Sequence, residues 1–382
     1  MTTLWDTTGT AVVKALAAER RTAGAVSSGL ALTLVVVVDE KRVAEAEAAA
    51  THAAAQHPCR LLVVVRRRPD APEPRLDAEV LIGGRLGPGE AVVMRMYGRL
   101  ALHAESVVLP LLAPDAPVVT WWYGEPPALI AHDPLGVFAD RRVTDSALAP
   151  DPAAALAQRA GDYVPGDTDL AWTGTTLWRA LCASAFDSVT SAPQAVRVTG
   201  QANSPVLVLL AGWLQTRLGL DVEVVDGEGD PVSEVRFTTE GGEVVLERGE
   251  GRTVQLRHDG QPDRTLPLAS RALGDLLAEE LQRLDADEPY AEALSAATGV
   301  ALQGVDPRTH VWVDPAGPES ELVDGKGQQA EGGARHRSGD GEGGGRRKRS
   351  GGSAGSGAGE GADGSGAAKG TEDGAAASGD AP

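Results

Sequence analysis

The sequence predicts an α/β fold, with mixed α+β as the nearest variant, built as two α/β domains on mixed sheets. Three observations carry that prediction. Residues 30–38 are a near-continuous apolar run rich in β-branched side chains, the pattern of a strand covered on both faces. An Ala-rich helical stretch and a second apolar run follow, which completes a βαβ unit by residue 66. The second half alternates helix and strand again and then strings several strands together.

Along the chain, residues 6–20 read as an amphipathic helix, because Val12, Val13, Leu16 and Ala17 recur at helical spacing. Residues 30–38 are the first buried strand and 41–56 the helix after it, with Pro58 just past its end. Residues 60–66, 76–82 and 91–98 are further strands, the last two separated by a Gly-rich turn at 83–89. A helix over 101–112 leads into a strand at 118–123. The stretch 124–166 is rich in Pro and Asp, holds a short helix near 152–159, and reads as a connector.

Beyond it, 172–186 is a helix and 194–199 a strand. Residues 204–218 form a helix with Ser204 as N-cap, Pro205 in the first turn and Gly219 past the end. Strands follow at 221–225, 233–239, 244–248 and 253–258. Residues 270–284 are a strong amphipathic helix with Leu273, Leu276, Leu277, Leu281 and Leu284 on one face. Both halves read helix, strand, helix, strands, helix, the order an internal duplication would produce. The expected domains are 1–125 and 167–312, joined by the connector 126–166.

Three of the fourteen aromatic residues stand together at Trp121, Trp122 and Tyr123. In a strand neighbours alternate faces, so Trp121 and Trp122 cannot both fill one core. One packs inward; the other meets a second layer, a partner or solvent. The plain reading is a buried strand under a covering helix. The sharper one is an exposed Trp ahead of the stiff Pro126-Pro127 exit, marking a binding surface, since interfaces are enriched in Trp and Tyr.

The run from Arg95 through Gly98, His103, Ser106, Pro110, Leu112, Asp115 and Pro117 to the Trp pair resembles the OpcA family, the glucose-6-phosphate dehydrogenase assembly proteins of bacteria. Three other blocks share the resemblance in the same order: His57-Pro58-Cys59-Arg60, then Arg141-Arg142-Val143-Thr144-Asp145-Ser146, then Asp169 to Thr173 with Leu177-Trp178-Arg179 behind. Gly174 departs from the family pattern, which favours Arg there. The resemblance implies a non-enzymatic cytoplasmic protein that helps the dehydrogenase reach or keep its active oligomer, feeding the oxidative pentose phosphate pathway. The candidate partner contacts are Trp121, Trp122, Tyr123, Arg141, Arg142, Asp145, Trp172, Trp178 and Arg179.

Composition bounds the rest. Residues 325–382 contain 20 Gly and no Val, Ile, Leu, Met, Phe, Tyr, Trp or Cys, too little apolar surface to offset the entropy of ordering, so this tail is expected to be disordered. It carries eight basic and eight acidic residues, leaving 27 Lys/Arg against 46 Asp/Glu in residues 1–324. So acidic a folded part repels nucleic acid and anionic membrane and suits a partner with a basic face. The basic cluster Arg346 to Arg349 lies in the Gly/Ser/Ala tail and reads as part of a linker. The chain has 30 Arg, five Lys, two Ile and one Asn, the usage of a GC-rich coding sequence. Cys59 and Cys182 form neither a disulfide framework nor a metal-ligand spacing and are expected to stay reduced. No secretory signal and no membrane span are expected, since the apolar run at 34–38 is far shorter than the ~20 residues a bilayer requires.

Enzyme signatures are missing. The Gly-rich stretches lack the strand–glycines–helix context of a phosphate loop or dinucleotide fingerprint. His52 and His57 are five apart rather than the four of a zinc helix, and there is no Gly-x-Ser-x-Gly elbow. No cofactor is therefore expected. His103 is the histidine most worth following. The expected polar cluster joins Arg141, Arg142, Thr144 and Asp145 with Asp169, Trp172, Trp178 and Arg179, where guanidinium groups pair with carboxylates or with a phosphorylated sugar. The alternative function is accordingly a sugar-phosphate-binding α/β protein or a sugar-phosphate enzyme.

Overall fold

Every side chain from Leu32 to Val38 is buried, as the near-continuous apolar run demands. The computed structural model describes residues 1–22, 30–83, 89–186, 189 and 191–302; the expected disordered tail and its basic cluster lie outside the described residues. The first half runs β1 (Thr2–Leu4), α1 (Gly9–Thr22), β2 (Leu32–Val38), α2 (Val43–Gln56), β3 (Cys59–Arg66), β4 (Arg75–Ile82), β5 (Glu90–Tyr97), α3 (Arg99–Leu102), α4 (Glu105–Val108) and β6 (Val118–Tyr123). Then come β7 (Arg141–Thr144), α5 (Pro152–Gly161) and β8 (Asp167–Asp169). The eight strands make one sheet in the order β1-β4-β5-β3-β2-β6-β7-β8.

From β5 to β8 neighbouring strands are parallel, while β4 and β1 are added antiparallel at one edge. The chain starts this parallel block in the middle, at β2. It builds outward through β3 and β5, then returns to the other side of β2 with β6, β7 and β8. The reversal between β2 and β6 is a topological switch point of a doubly wound sheet. The stretch expected as a connector thus supplies a strand of this sheet and a helix.

Alternate residues divide the sheet between two cores. Leu34, Val36, Val63, Val119 and Trp121 pack under α2, and Val35, Val37, Leu62, Met94 and Trp122 pack under α1, α3 and α4. The first core is closed by a distant element, α9 (Leu273–Glu280), through Leu277 and Ala278.

The second half contains α6 (Leu170–Gly174), α7 (Thr176–Ala185), β9 (Pro193–Gly200), α8 (Pro205–Leu218), β10 (Val222–Asp226), β11 (Glu234–Thr239), β12 (Gly242–Arg248), β13 (Thr253–His258) and β14 (Arg264–Pro267). Then come α9 and α10 (Glu288–Thr298). Its six strands are ordered β10-β9-β11-β12-β13-β14. Only β9 and β10 are parallel; the other pairs are antiparallel. The two sheets therefore differ in strand order and direction, so the similar order of elements in the two halves does not produce a repeated fold. One face of this sheet packs Val196, Val198, Phe237 and Leu246 against α7 and α8. The intervening residues, Arg197 and Arg257 among them, face outward.

Several expected helices are shorter or broken. The helix expected over 101–112 is three short pieces, α3, α4 and a 3-10 turn at Leu109–Leu111; the second break falls where Pro110 has no N–H and its ring would clash with the preceding turn. The helix expected from Trp172 begins at Leu170, where the Asp169 carboxylate accepts from Ala171 N–H, and divides at Thr175, whose hydroxyl donates to the Trp172 carbonyl at 2.6 Å. The helix expected over 270–284 spans only α9. Ser204 occupies the N-cap of α8 but its hydroxyl makes no cap bond, whereas Gly219 adopts the left-handed conformation expected of it, with φ 65°. β1, β7, β8, β14 and α10 escaped the sequence reading.

Candidate functional site

Trp121 and Trp122 do point to opposite faces, and both faces are covered. Trp121 is 0% exposed and Trp122 1%, so the expectation of an exposed Trp is corrected: the α/β/α layering hides both. Trp121 lies against Tyr123, two residues on and on the same face, with ring centroids 4.9 Å apart. Tyr123 is itself buried, and the Arg42 guanidinium sits 5.8 Å from its ring centroid. Among the described residues the solvent-facing indole is instead Trp5, 69% exposed, an isolated residue that no periodicity singles out.

The two adjacent arginines part company, as neighbours in a strand must. Arg142 donates to Asp167 and to the Ala139 and Pro165 carbonyls, so it stitches β7 to β8 and the preceding loop. Arg141 reaches the other way, donating to Glu280 at 2.6 Å and to the Asp285 carbonyl. Both arginines are 1% exposed. Arg141 and Arg142 therefore belong to different environments and do not form one anion cradle.

Asp145 follows the last residue of β7, and Asp169 ends β8 opposite Thr144. Asp169 accepts from Thr144 Oγ1, Ser146 N–H, Ser146 Oγ and Ala171 N–H, which fixes the block Arg141 to Ser146 against the start of α6. Asp145 accepts from Ala147 N–H. Burial, and then the neighbouring Asp169 carboxylate, push the Asp145 carboxyl up to about 7. Trp178 lies elsewhere again, in the core under the second sheet.

What the structure does assemble is a cleft of about 510 Å³ between α6, α7, α9 and the loop after α9. Arg141, Trp172 and Arg179 line it, together with residues that sequence reasoning missed: Thr176, Arg271, Glu279, Glu280, Arg283 and Asp287. The Arg179 guanidinium lies 3.7 Å from the Trp172 ring centroid, a cation–π contact. Trp172 Nε1 donates to Asp287 at 2.9 Å, which fixes the indole plane. Thr176 donates to Glu279 at 2.7 Å and accepts from Arg179 Nη2 at 3.0 Å. Glu279 in turn pairs with Arg271. Burial lowers the proton affinity of Arg179, opposed by Asp287, Glu279 and Glu280; a guanidinium still stays charged. Of the missed residues, Glu279 and Glu280 sit on α9, Arg283 and Asp287 just beyond it, Arg271 just before it and Thr176 at the start of α7. The only sequence signal for those on α9 or just beyond it was the back of the leucine stripe.

The switch point is where a doubly wound sheet would take a dinucleotide. Here Asp39 Oδ1 accepts from Lys41 N–H at 2.9 Å and Arg42 N–H at 3.2 Å in the turn that precedes α2, and the helix itself has no side-chain N-cap bond. Cys59 and Cys182 lie in different cores as free thiols, each pushed up to about 12 by burial. His103 lies 3.6 Å from Glu105. Among the described residues no group of three or more His, Cys, Asp or Glu is placed to hold a metal ion, and no helix is long and apolar enough to cross a membrane.

Comparison with known proteins adds the family. Residues 50–161 match the glucose-6-phosphate dehydrogenase subunit N-terminal domain of the OpcA assembly family, and residues 165–294 match the C-terminal domain of the same subunit. No curated protein matches the chain. Solved structures similar to it include UDP-N-acetylglucosamine 3-dehydrogenase GnnA from Acidithiobacillus ferrooxidans, at 11% identity and TM-score 0.35 over 70% of this chain and 96% of that one. An oxidoreductase from Sinorhizobium meliloti is 12% identical at TM-score 0.34 over 69% and 86% of the two chains. An inositol dehydrogenase homolog from Azotobacter vinelandii, complexed with NADH and myo-inositol, is 13% identical at TM-score 0.32 over 71% and 85%. Likenesses at that level carry no argument about activity.

Proposed function

Because the chain belongs to the OpcA family of glucose-6-phosphate dehydrogenase subunits, we propose that it is a non-enzymatic cytoplasmic partner of that dehydrogenase, which binds its active oligomer and favours it. The observation that carries this reading is the pair of family matches, N-terminal then C-terminal, in one chain. The physical mechanism is linkage: a protein that binds one assembly state and not the others shifts the equilibrium toward it by its binding free energy. The formal charge of −19 supports a partner with a basic docking face, steering encounter more than setting affinity. Activity of this kind would feed the oxidative pentose phosphate pathway.

The deciding experiment measures the specific activity and oligomer mass of the same organism's dehydrogenase with and without the purified chain. Higher activity together with a heavier complex supports the reading; no change in either removes it. A Trp121/Trp122 double alanine is a poor probe of docking, because both side chains are core and their loss would be read first as instability.

A further inference from the structure

Hydrogen-bonding capacity in the α6–α7–α9 cleft is lopsided. The carboxylate oxygens on its walls all have partners. Glu279 accepts from Thr176 and Arg271, and Glu280 from Thr173 and Arg141. Asp287 accepts from Trp172 Nε1 and Tyr290 N–H, and Asp275 from Ala272 N–H while sharing a hydrogen bond with His52. The idle groups are donors. Arg179 makes its hydrogen bond to Thr176 and, among the described residues, has no ion pair; its Nε is buried without an acceptor. Arg141 Nε is likewise unmatched. Arg283 lines the same cleft and is exposed.

We propose that this cleft binds a small polyhydroxylated oxyanion, a phosphomonoester or carboxylate of sugar size, held on Arg179 and Arg283 with its hydroxyls donating to Glu279 and Glu280. With Nε enclosed and one Nη2 N–H on Thr176, Nη1 and the second Nη2 N–H of Arg179 are left for the ligand. The Trp172 stack holds that guanidinium in one plane, as recognition of a planar or tetrahedral oxyanion requires. Each wall carboxylate oxygen keeps a second lone pair that a hydroxyl can satisfy. Arginine donors beside carboxylate acceptors suit a molecule that is both anionic and hydroxylated. The volume, about 510 Å³, lies within the range of small-metabolite sites. The assignment does not depend on the dehydrogenase reading.

Titration calorimetry on the full chain, with no dehydrogenase present, tests it using glucose 6-phosphate, gluconate and glucose. Saturable millimolar or tighter binding of glucose 6-phosphate or gluconate, and none of glucose, is expected, and the two anions tell phosphate from carboxylate recognition. Arg179→Gln should weaken that binding at least about tenfold, the loss of one charge-assisted contact. Arg197→Gln, on the outer face of the second sheet, should leave it unchanged. No saturable binding of either anion, equal binding of glucose, or unchanged affinity in a folded Arg179→Gln variant overturns the proposal. Should Arg179→Gln fail to fold, Arg283→Gln takes its place: a several-fold weaker affinity supports the site, and an unchanged one overturns it.

Discussion

The two sheets solve opposite problems with the same residue types. The first is covered on both faces, so its central strands are near-continuous apolar runs and both Trp121 and Trp122 disappear into cores. The second is covered on one face, so its strands alternate, and its outward positions carry exposed cross-strand pairs such as Arg197–Glu223 at 2.8 Å. Charge follows the same division. Where the second half closes onto the first sheet the ion pairs are buried, as in Arg141–Glu280, whose side chains are 1% and 6% exposed; on the second sheet's outer face they are solvated. Position in the layering, more than residue identity, sets what a charge contributes.

The comparison breaks most sharply at Val36, which faces Val63 on one side and Trp121 on the other. Val36→Asp places an unpaired carboxylate in a dry core, a cost of several kcal/mol comparable with the whole stability of a domain. The expected outcome is loss of cooperative folding by circular dichroism and calorimetry. Next in size is Glu280→Ala, which strands Arg141 and should cost about 3–5 kcal/mol in denaturant unfolding. The double replacement Arg141→Met with Glu280→Leu should recover much of that loss, because both desolvation penalties go with the pair. An equal loss in the single and double variants would contradict this view of the joint.

A smaller effect comes from Asp145. Its folded pKa of about 7 lies above the ordinary carboxyl value of about 4. Between those values the folded chain keeps a proton that the unfolded chain releases, so this group makes stability fall as pH rises from about 4 to about 7, and contributes no further change above. Asp145→Asn should remove that slope. Parallel slopes for the variant and the parent in pH-dependent unfolding would refute it. Smallest is Arg197→Ala on the open face, which should change stability by under about 1 kcal/mol. A larger loss there would mean that the outer face of the second sheet is not simply solvated.

Much of the candidate site was beyond a linear reading. Arg141, Trp172 and Arg179 were legible as a polar and aromatic group, yet Arg142 and Trp178, from the same motif blocks, lie outside the cleft. Strand alternation turned Arg142 toward Asp167, and helical spacing turned Trp178 into the core under the second sheet. Glu279, Arg283 and Asp287 were hidden behind the leucines of α9, because a helix advertises its apolar face while its polar face looks like any solvated surface. The second break in the helix expected over 101–112 had a visible cause in Pro110; the first break and the shortness of α9 had none.

By itself the sequence determined where the central buried strands β2, β3, β5 and β6 run, that α2 crosses between the first two, and that Trp121 and Trp122 part to opposite faces, since these follow from periods of two and 3.6 residues. It also held the family blocks. Only the tertiary structure decided that both faces of the first sheet are covered, that α9 closes it, and that a cleft forms around Arg179. Those outcomes rest on contacts such as Arg141 with Glu280 and Trp172 with Asp287, 139 and 115 residues apart. Local periodicity says which way a side chain points, but what it meets there depends on how distant segments of the chain pack.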